Sequence, residues 1–299
     1  MVAASIAALA VSSSAARADV DWGADAFSAP KGAVEAAEVA MGTAFESYAI
    51  YSNIDRAHTM QAKKVAKAIR EGALIYLNIN SSIWGAGGHE VPICWNKVAE
   101  GHRDGQLREW IHAIQATHYS SFILTFDHEA TVRGPSQPKC ALRWDNARTY
   151  RAAFYHVRML FRRNGVGFPW AYVMVAGATN WPSGLQYRPA PSNYEIIGTD
   201  QYYHCNDRFQ NPPDALKSFF DWTAKYAPNK PALVGEIGAN SSCPDQSLVW
   251  LRAAQTRLLA HDVVSINWNP RTDAGKEYNP LLQRDIREWW LAWAAQETG

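Results

Sequence analysis

Eight short apolar runs, separated by segments that mostly carry helix signals, constrain this chain more than any other feature. They fall at 21–27, 46–51, 73–79, 121–126, 170–176, 194–201, 231–236 and 262–268. Each is rich in β-branched or aromatic residues. Several are apolar at nearly every position, as parallel strands covered on both faces must be. Pro30 opens one intervening helix and Gly42 follows it. Thr59 is positioned to cap the next, which stops at Gly72. Asp145 precedes a helix with Phe154, Val157, Leu160 and Phe161 on one face. Pro212-Pro213 start another, Asp245 caps a further one, and Asn279-Pro280 start the last. Alternating strands and helices predict parallel βα units with right-handed crossovers. Eight such units in about 280 residues predict an α/β fold, a single-domain (β/α)8 TIM barrel. Residues 178–193 hold three prolines and no helical period, so helix 5 is expected to be reduced or absent. A doubly wound sheet would need a Gly-rich first loop, and Trp22-Gly23-Ala24-Asp25 is not one.

Charge narrows the partners. Lys plus Arg number 29 and Asp plus Glu 28, so there is no basic excess for a nucleic-acid backbone or an anionic membrane. No apolar run reaches the roughly 20 residues of a membrane span. Phosphate-cradling loops of the GxGxxG or GxxxxGK[ST] type are absent. The N-terminus reads as an export signal. Val2 to Val11 is apolar and Ala-rich, and Ala16-Arg17-Ala18 has the small residues of a cleavage site. The expectation is a signal peptide over 1–18, a catalytic barrel over 19–299, and a secreted, extracellular, monomeric protein. Export makes disulfides plausible for Cys94, Cys140, Cys205 and Cys243. Four cysteines allow three connectivities. All four follow strand ends on one face, so pairing of adjacent loops favours Cys94–Cys140 and Cys205–Cys243.

Barrel active sites lie at the C-terminal ends of the strands. The residues there are rich in carboxylates and aromatics: Asp25, Tyr51, Asn78, Trp84, Asp127-His128-Glu129, Trp181, Asp200, Tyr202, Glu236, Trp268 and Asn269. Glu129 and Glu236 end the fourth and seventh strands, 107 residues apart in sequence but facing across a barrel. A retaining glycosidase needs two such carboxyl groups about 5–5.5 Å apart, one ionised to attack and one protonated to donate. His128 is placed to bond a sugar hydroxyl or orient the nucleophile. Tyr202 is placed to donate its phenolic proton to Glu236. Trp268 is expected as a floor under the sugar ring, with Trp84, Trp95 and Trp181 as weaker platforms. Trp289, Trp290 and Trp293 fall at helical spacing and read as core filling.

These residues resemble glycoside hydrolase family 26, a clan A family founded on β-mannanases. The resemblance rests on His128-Glu129, on Gly198-Thr199-Asp200-Gln201-Tyr202, on Pro231 to Gly238 with Glu236, and on Trp268. It implies that Glu129 is the acid/base, Glu236 the nucleophile, Tyr202 its support, and Trp268 the lining of the catalytic subsite. It also implies a polysaccharide substrate, retention of configuration, no cofactor and no required metal. The family commonly continues as His-Glu-Met-Asn, whereas this chain reads His128-Glu129-Ala130-Thr131. Contacts beyond the acid/base therefore differ, and β-mannan, β-glucan and related glycans all fit. Two other classes are a non-catalytic glycan-binding barrel and a metal-dependent hydrolase using Asp127, His128 and Glu129. Against the latter, adjacent residues of an extended segment point to opposite faces.

Overall fold

A computed structural model describes residues 21–25, 34, 38–39, 42, 44–85, 90–131, 140, 146–175, 182–203, 214–239, 243–269, 272–273, 276–277, 288–289 and 292–293. Eight strands form one parallel sheet: β1 (Asp21–Asp25), β2 (Ser47–Asn53), β3 (Leu74–Asn80), β4 (Phe122–Phe126), β5 (Ala171–Val175), β6 (Ile196–Tyr203), β7 (Ala232–Ala239) and β8 (Val263–Trp268). Their order is β4-β3-β2-β1-β8-β7-β6-β5. The two end strands meet. Leu124 and Trp170 form a parallel bridge, the Leu124 N–H donates to Pro169 O at 2.9 Å, and the Thr125 hydroxyl donates to Ala171 O at 2.8 Å. The sheet thus closes into the expected barrel, and its two end strands cover each other's edges.

Alternation along the strands sorts the core into two compartments. Ala49, Tyr76, Ile123, Ala171, Val173, Ile196 and Leu233 fill one cluster inside the barrel. Their neighbours Ile75, Leu77, Leu124, Tyr172, Ile197 and Val234 belong to the larger cluster under the helices. The described helices are α1 (Lys63–Glu71), α2 (Trp95–Ala99), α3 (Asp104–Ala116), α4 (Ala147–Arg163), α5 (Pro182–Tyr187), α6 (Asp214–Tyr226) and α7 (Pro244–Leu259). The short α5 is the reduced fifth helix.

Local details correct the sequence reading. Thr59 does not cap α1; it lies in a 3-10 turn over Ala57–Gln61, and its hydroxyl meets that of Ser52. The N-cap of α4 is Asn146, which shares a capping box with Thr149. Asp245 sits in the first turn of α7, after Pro244, and the cap position is Cys243. The segment 80–105 adds structure between β3 and α3. It holds an antiparallel hairpin, Ser82–Trp84 with Glu90–Pro92, and then α2. Trp293 is buried and Trp289 packs against it, as expected for core filling; Trp290 lies outside the described residues.

Cys94 and Cys140 are joined, as adjacent-loop pairing predicts. Cys243 is also disulfide-bonded, while Cys205 lies outside the described residues. The Cys94–Cys140 bridge spans 46 residues, and a loop of that length is worth about 4 kcal/mol of chain entropy in the unfolded state. Cys140→Ser is therefore expected to lower Tm by roughly 10 °C in a thermal melt. An unchanged Tm would show that neighbouring packing, not the bridge, holds this loop.

Candidate active site

The site is built first on the end of β4. Asp127 and Glu129 both have left-handed backbone, with φ of 46° and 56°. Non-glycine residues adopt this conformation only at a local cost, and such residues cluster at functional sites. Surrounding hydrogen bonds hold the turn. Asp127 accepts from the Ser81 N–H at 2.7 Å, from the Ser81 hydroxyl, and from Trp95 Nε1 at 2.5 Å. The His128 N–H donates to Asn78 Oδ1 at 3.0 Å, and the Glu129 N–H to Val173 O at 3.3 Å. The segment is therefore not extended. Asp127 is used up as an anchor, while His128 and Glu129 both reach the cluster at the mouth. This corrects the expectation that adjacent side chains there must diverge.

On β7 the backbone solves a related problem. Thr199 pairs with Val234 but Asp200 pairs with Glu236, so Gly235 is an extra residue, a bulge. A bulge shifts the alternation of the strand and re-aims the side chains that follow. Gly235 is needed because a Cβ there would lie 2.6 Å from Asp200 Oδ1. After the bulge, Glu236 joins the mouth cluster at 8 % exposure. Its Oε2 accepts from the Tyr202 hydroxyl and from Asn269 Nδ2 at 2.8 Å. Asn269 Nδ2 also lies 2.6 Å from the Tyr202 oxygen, so three groups lock together. The Tyr202 ring lies against Gly238, where a Cβ would meet it at 2.9 Å. The other carboxylate oxygen, Oε1, faces His128 Nε2 at 3.5 Å.

His128 links the two halves. Its Nε2 is also 3.8 Å from Asp200 Oδ2, and its ring is 4.7 Å from that of Tyr51. Tyr51 in turn donates to Gly235 O at 3.1 Å. Burial alone would push the His128 pKa down. Contact with Glu236 and the charges of Asp200, Glu236 and Glu129 overcome burial and raise it to about 9. Burial likewise opposes ionisation of Glu236, but His128 and Asn269 hold its carboxyl below the ordinary value. Burial, then the charge of Glu236, pushes Asp200 well above the carboxylate range.

The signs give a test. An unfolded histidine titrates near ~6.5. A raised folded value stabilises fully below that pH, and the stabilisation is lost as pH rises through about 9. The protein should lose on the order of a few °C of Tm across this window. His128→Gln should flatten that slope, and a slope that persists in the variant would assign it elsewhere.

The remaining candidates separate. Trp84 is half exposed on its hairpin, with the Arg56 guanidinium 5.3 Å from its ring centre. It lines a cleft of about 480 Å³ with Tyr51, Asn53, Arg56, His58 and Glu90. Tyr51 connects this cleft to His128. Trp268 is not an open floor, because it is 1 % exposed and belongs to the core. Trp95 is fully buried as the donor to Asp127. The side chain of Asp25 and all of Trp181 lie outside the described residues. Asn269, Asn78, Tyr51 and Asp200 were visible only as strand-end positions, with no role assigned. Their roles arise from partners distant in sequence.

No protein-family model and no curated protein matches the chain. Solved structures do share its fold. The catalytic domain of the endo-β-1,4-mannanase of glycoside hydrolase family 26 from Bacillus sp. JAMB-750 aligns with a TM-score of 0.62 at 16% identity, covering 84% of this chain and 77% of that one. An endo-β-1,4-mannanase double mutant from Cellulomonas fimi aligns with a TM-score of 0.70 at 15% identity, covering 93% and 71%. A family 26 β-mannanase from Bacteroides ovatus aligns with a TM-score of 0.66 at 15% identity, covering 94% and 90%. At such identities the likeness is one of fold.

Proposed function

We propose that this chain is a secreted, retaining glycoside hydrolase acting on a β-linked polysaccharide, with mannan-type glycans first among the candidates. The observation that carries this reading is the treatment of Glu236. One oxygen is held by Tyr202 and Asn269, the carboxyl is held below its ordinary pKa, and the other oxygen faces His128. A carboxylate built in this way serves as an oriented nucleophile.

In this mechanism Glu236 Oε1 attacks the anomeric carbon while Glu129 protonates the departing oxygen. Glu129 then takes a proton from water, which displaces Glu236 from the glycosyl-enzyme. Protonated His128 offsets the negative charge of Glu236 and positions Oε1. The cleft beside Trp84 and Arg56 gives room for further sugar units next to the reacting one. The mannan preference rests on the fold shared with β-mannanases; β-glucans remain in the same class. Export rests on the Ala-rich segment before Asp19 and agrees with the Cys94–Cys140 bridge. Among the described residues no helix is long and apolar enough to cross a membrane.

The test is incubation with a panel of mannans, β-glucans, xylans and bacterial cell-wall glycans, with released oligosaccharides detected by mass. Products with the anomeric configuration of the substrate are expected. Inverted products would overturn the retaining mechanism. Binding of a glycan without cleavage would leave a lectin-like barrel instead.

A further inference from the structure

Glu129 belongs to a second cluster that the glycosidase mechanism does not use fully. One donor atom each of His128, Glu129 and Asp200 lies within 4.8 Å of the others. Asp200 is completely buried, and neither of its oxygens has a hydrogen-bond partner among the described residues. The same holds for His128 Nδ1 and the Tyr76 hydroxyl. Gly235 lets Asp200 and Tyr76 pack directly against the strand backbone, since a Cβ there would lie 2.6 Å from Asp200 Oδ1 and 3.4 Å from the Tyr76 oxygen. Buried polar atoms are normally satisfied. Several orphans in one place mark a position where a polar guest belongs. The donor chemistry points to which guest. With Glu236 included, three carboxyl groups gather around one imidazole, a set that suits a cation able to displace the protons the buried acids hold.

We infer that His128, Glu129 and Asp200 form a site for one divalent transition metal, of which zinc is the best match. One imidazole nitrogen and two carboxylate oxygens are the mixed N/O donors that zinc accepts, and three protein ligands leave a coordination position open. Zinc–ligand bonds of about 2.0–2.2 Å require the donors to close in by on the order of 1 Å, which side-chain rotation supplies. Glu236 stays outside the ligand set because Tyr202 and Asn269 hold it. The metal would be an inhibitor rather than a cofactor. It ties up Glu129, so bound zinc and proton donation to a leaving group exclude each other; this consequence rests on the function proposed above.

The binding itself does not rest on that reading, and the experiment keeps the two apart. Protein stripped with EDTA and dialysed is titrated with zinc chloride by calorimetry, and with cobalt(II) by visible absorption. One equivalent should bind. His128→Gln and Asp200→Asn should each weaken binding by on the order of 100-fold. Circular dichroism melts establish that the variants fold, and Glu129→Gln, at the partly open end of the cluster, serves if either does not. No heat at millimolar zinc, or binding unchanged in folded variants, overturns the site. Zinc binding that disappears in the variants supports it whether or not any glycan is cleaved. If zinc binds there and glycan hydrolysis continues at saturating metal, the site stands and the acid/base role of Glu129 falls.

Discussion

Glu236→Gln is expected to lower kcat on the responsive polysaccharide by at least about 10³-fold, with the fold intact. Gln has nearly the shape of Glu, and its carbonyl oxygen still accepts from Tyr202. What it loses is the charge and the nucleophilic oxygen. The loss should therefore fall on turnover, with substrate binding largely retained. Glu236→Ala separates this role from simple electrostatic support. Truncation opens a cavity on the face from which Oε1 attacks, and a small anion such as azide fits there. With azide, the alanine variant should form a glycosyl azide of inverted configuration, because one displacement replaces two. Normal turnover in Glu236→Gln would dismiss the carboxylate as nucleophile. A folded alanine variant that azide fails to rescue would assign Glu236 a supporting role instead.

The barrel was legible because its signals are local. Runs such as Phe122 to Phe126 are apolar on both faces, and the prolines of 178–193 leave room only for the six-residue α5. Pairing of Cys94 with Cys140 followed from strand placement alone. One helix signal went unused: Leu107, Trp110, Ile111 and Ile114 are the buried stripe of α3, at 3.6-residue spacing. The site was legible only in part. Glu129, Glu236, His128 and Tyr202 do converge, but the reason two neighbouring residues, His128 and Glu129, both reach the cluster is a pair of left-handed residues that no propensity announces. The reason Glu236 enters the mouth is the bulge at Gly235. A lone glycine inside a strand is a signal for that, although it does not say which side chain the bulge re-aims. Asn269 depends on Tyr202 and Glu236, 67 and 33 residues away, and such long-range pairing is invisible without the fold.

Glu129→Gln should separate the two chemical steps. A sugar alcohol is a poor leaving group and needs its proton, so kcat/KM on the polysaccharide should fall by roughly 10²–10⁴-fold. An aryl glycoside with an acidic phenol leaves without that proton. Its kcat/KM should stay near the wild-type value, while kcat falls because no base activates water in the second step. The glycosyl-enzyme then accumulates, and a burst of about one equivalent of phenol should precede slow turnover. The wild type should lose activity at alkaline pH as its acid deprotonates, and the variant should lose that limb of the profile on the polysaccharide. The substitution is well suited to the site. Glu129 is placed by its backbone, through φ of 56° and its N–H to Val173, so the amide occupies the same position without rebuilding the turn. A loss of equal size on both substrates, with no burst, would mean that Glu129 orients the glycan rather than moving its proton. The donor would then have to be sought among the other buried groups of the cluster, of which Asp200, held well above the carboxylate range, and His128, raised to about 9, are both equipped to carry a proton.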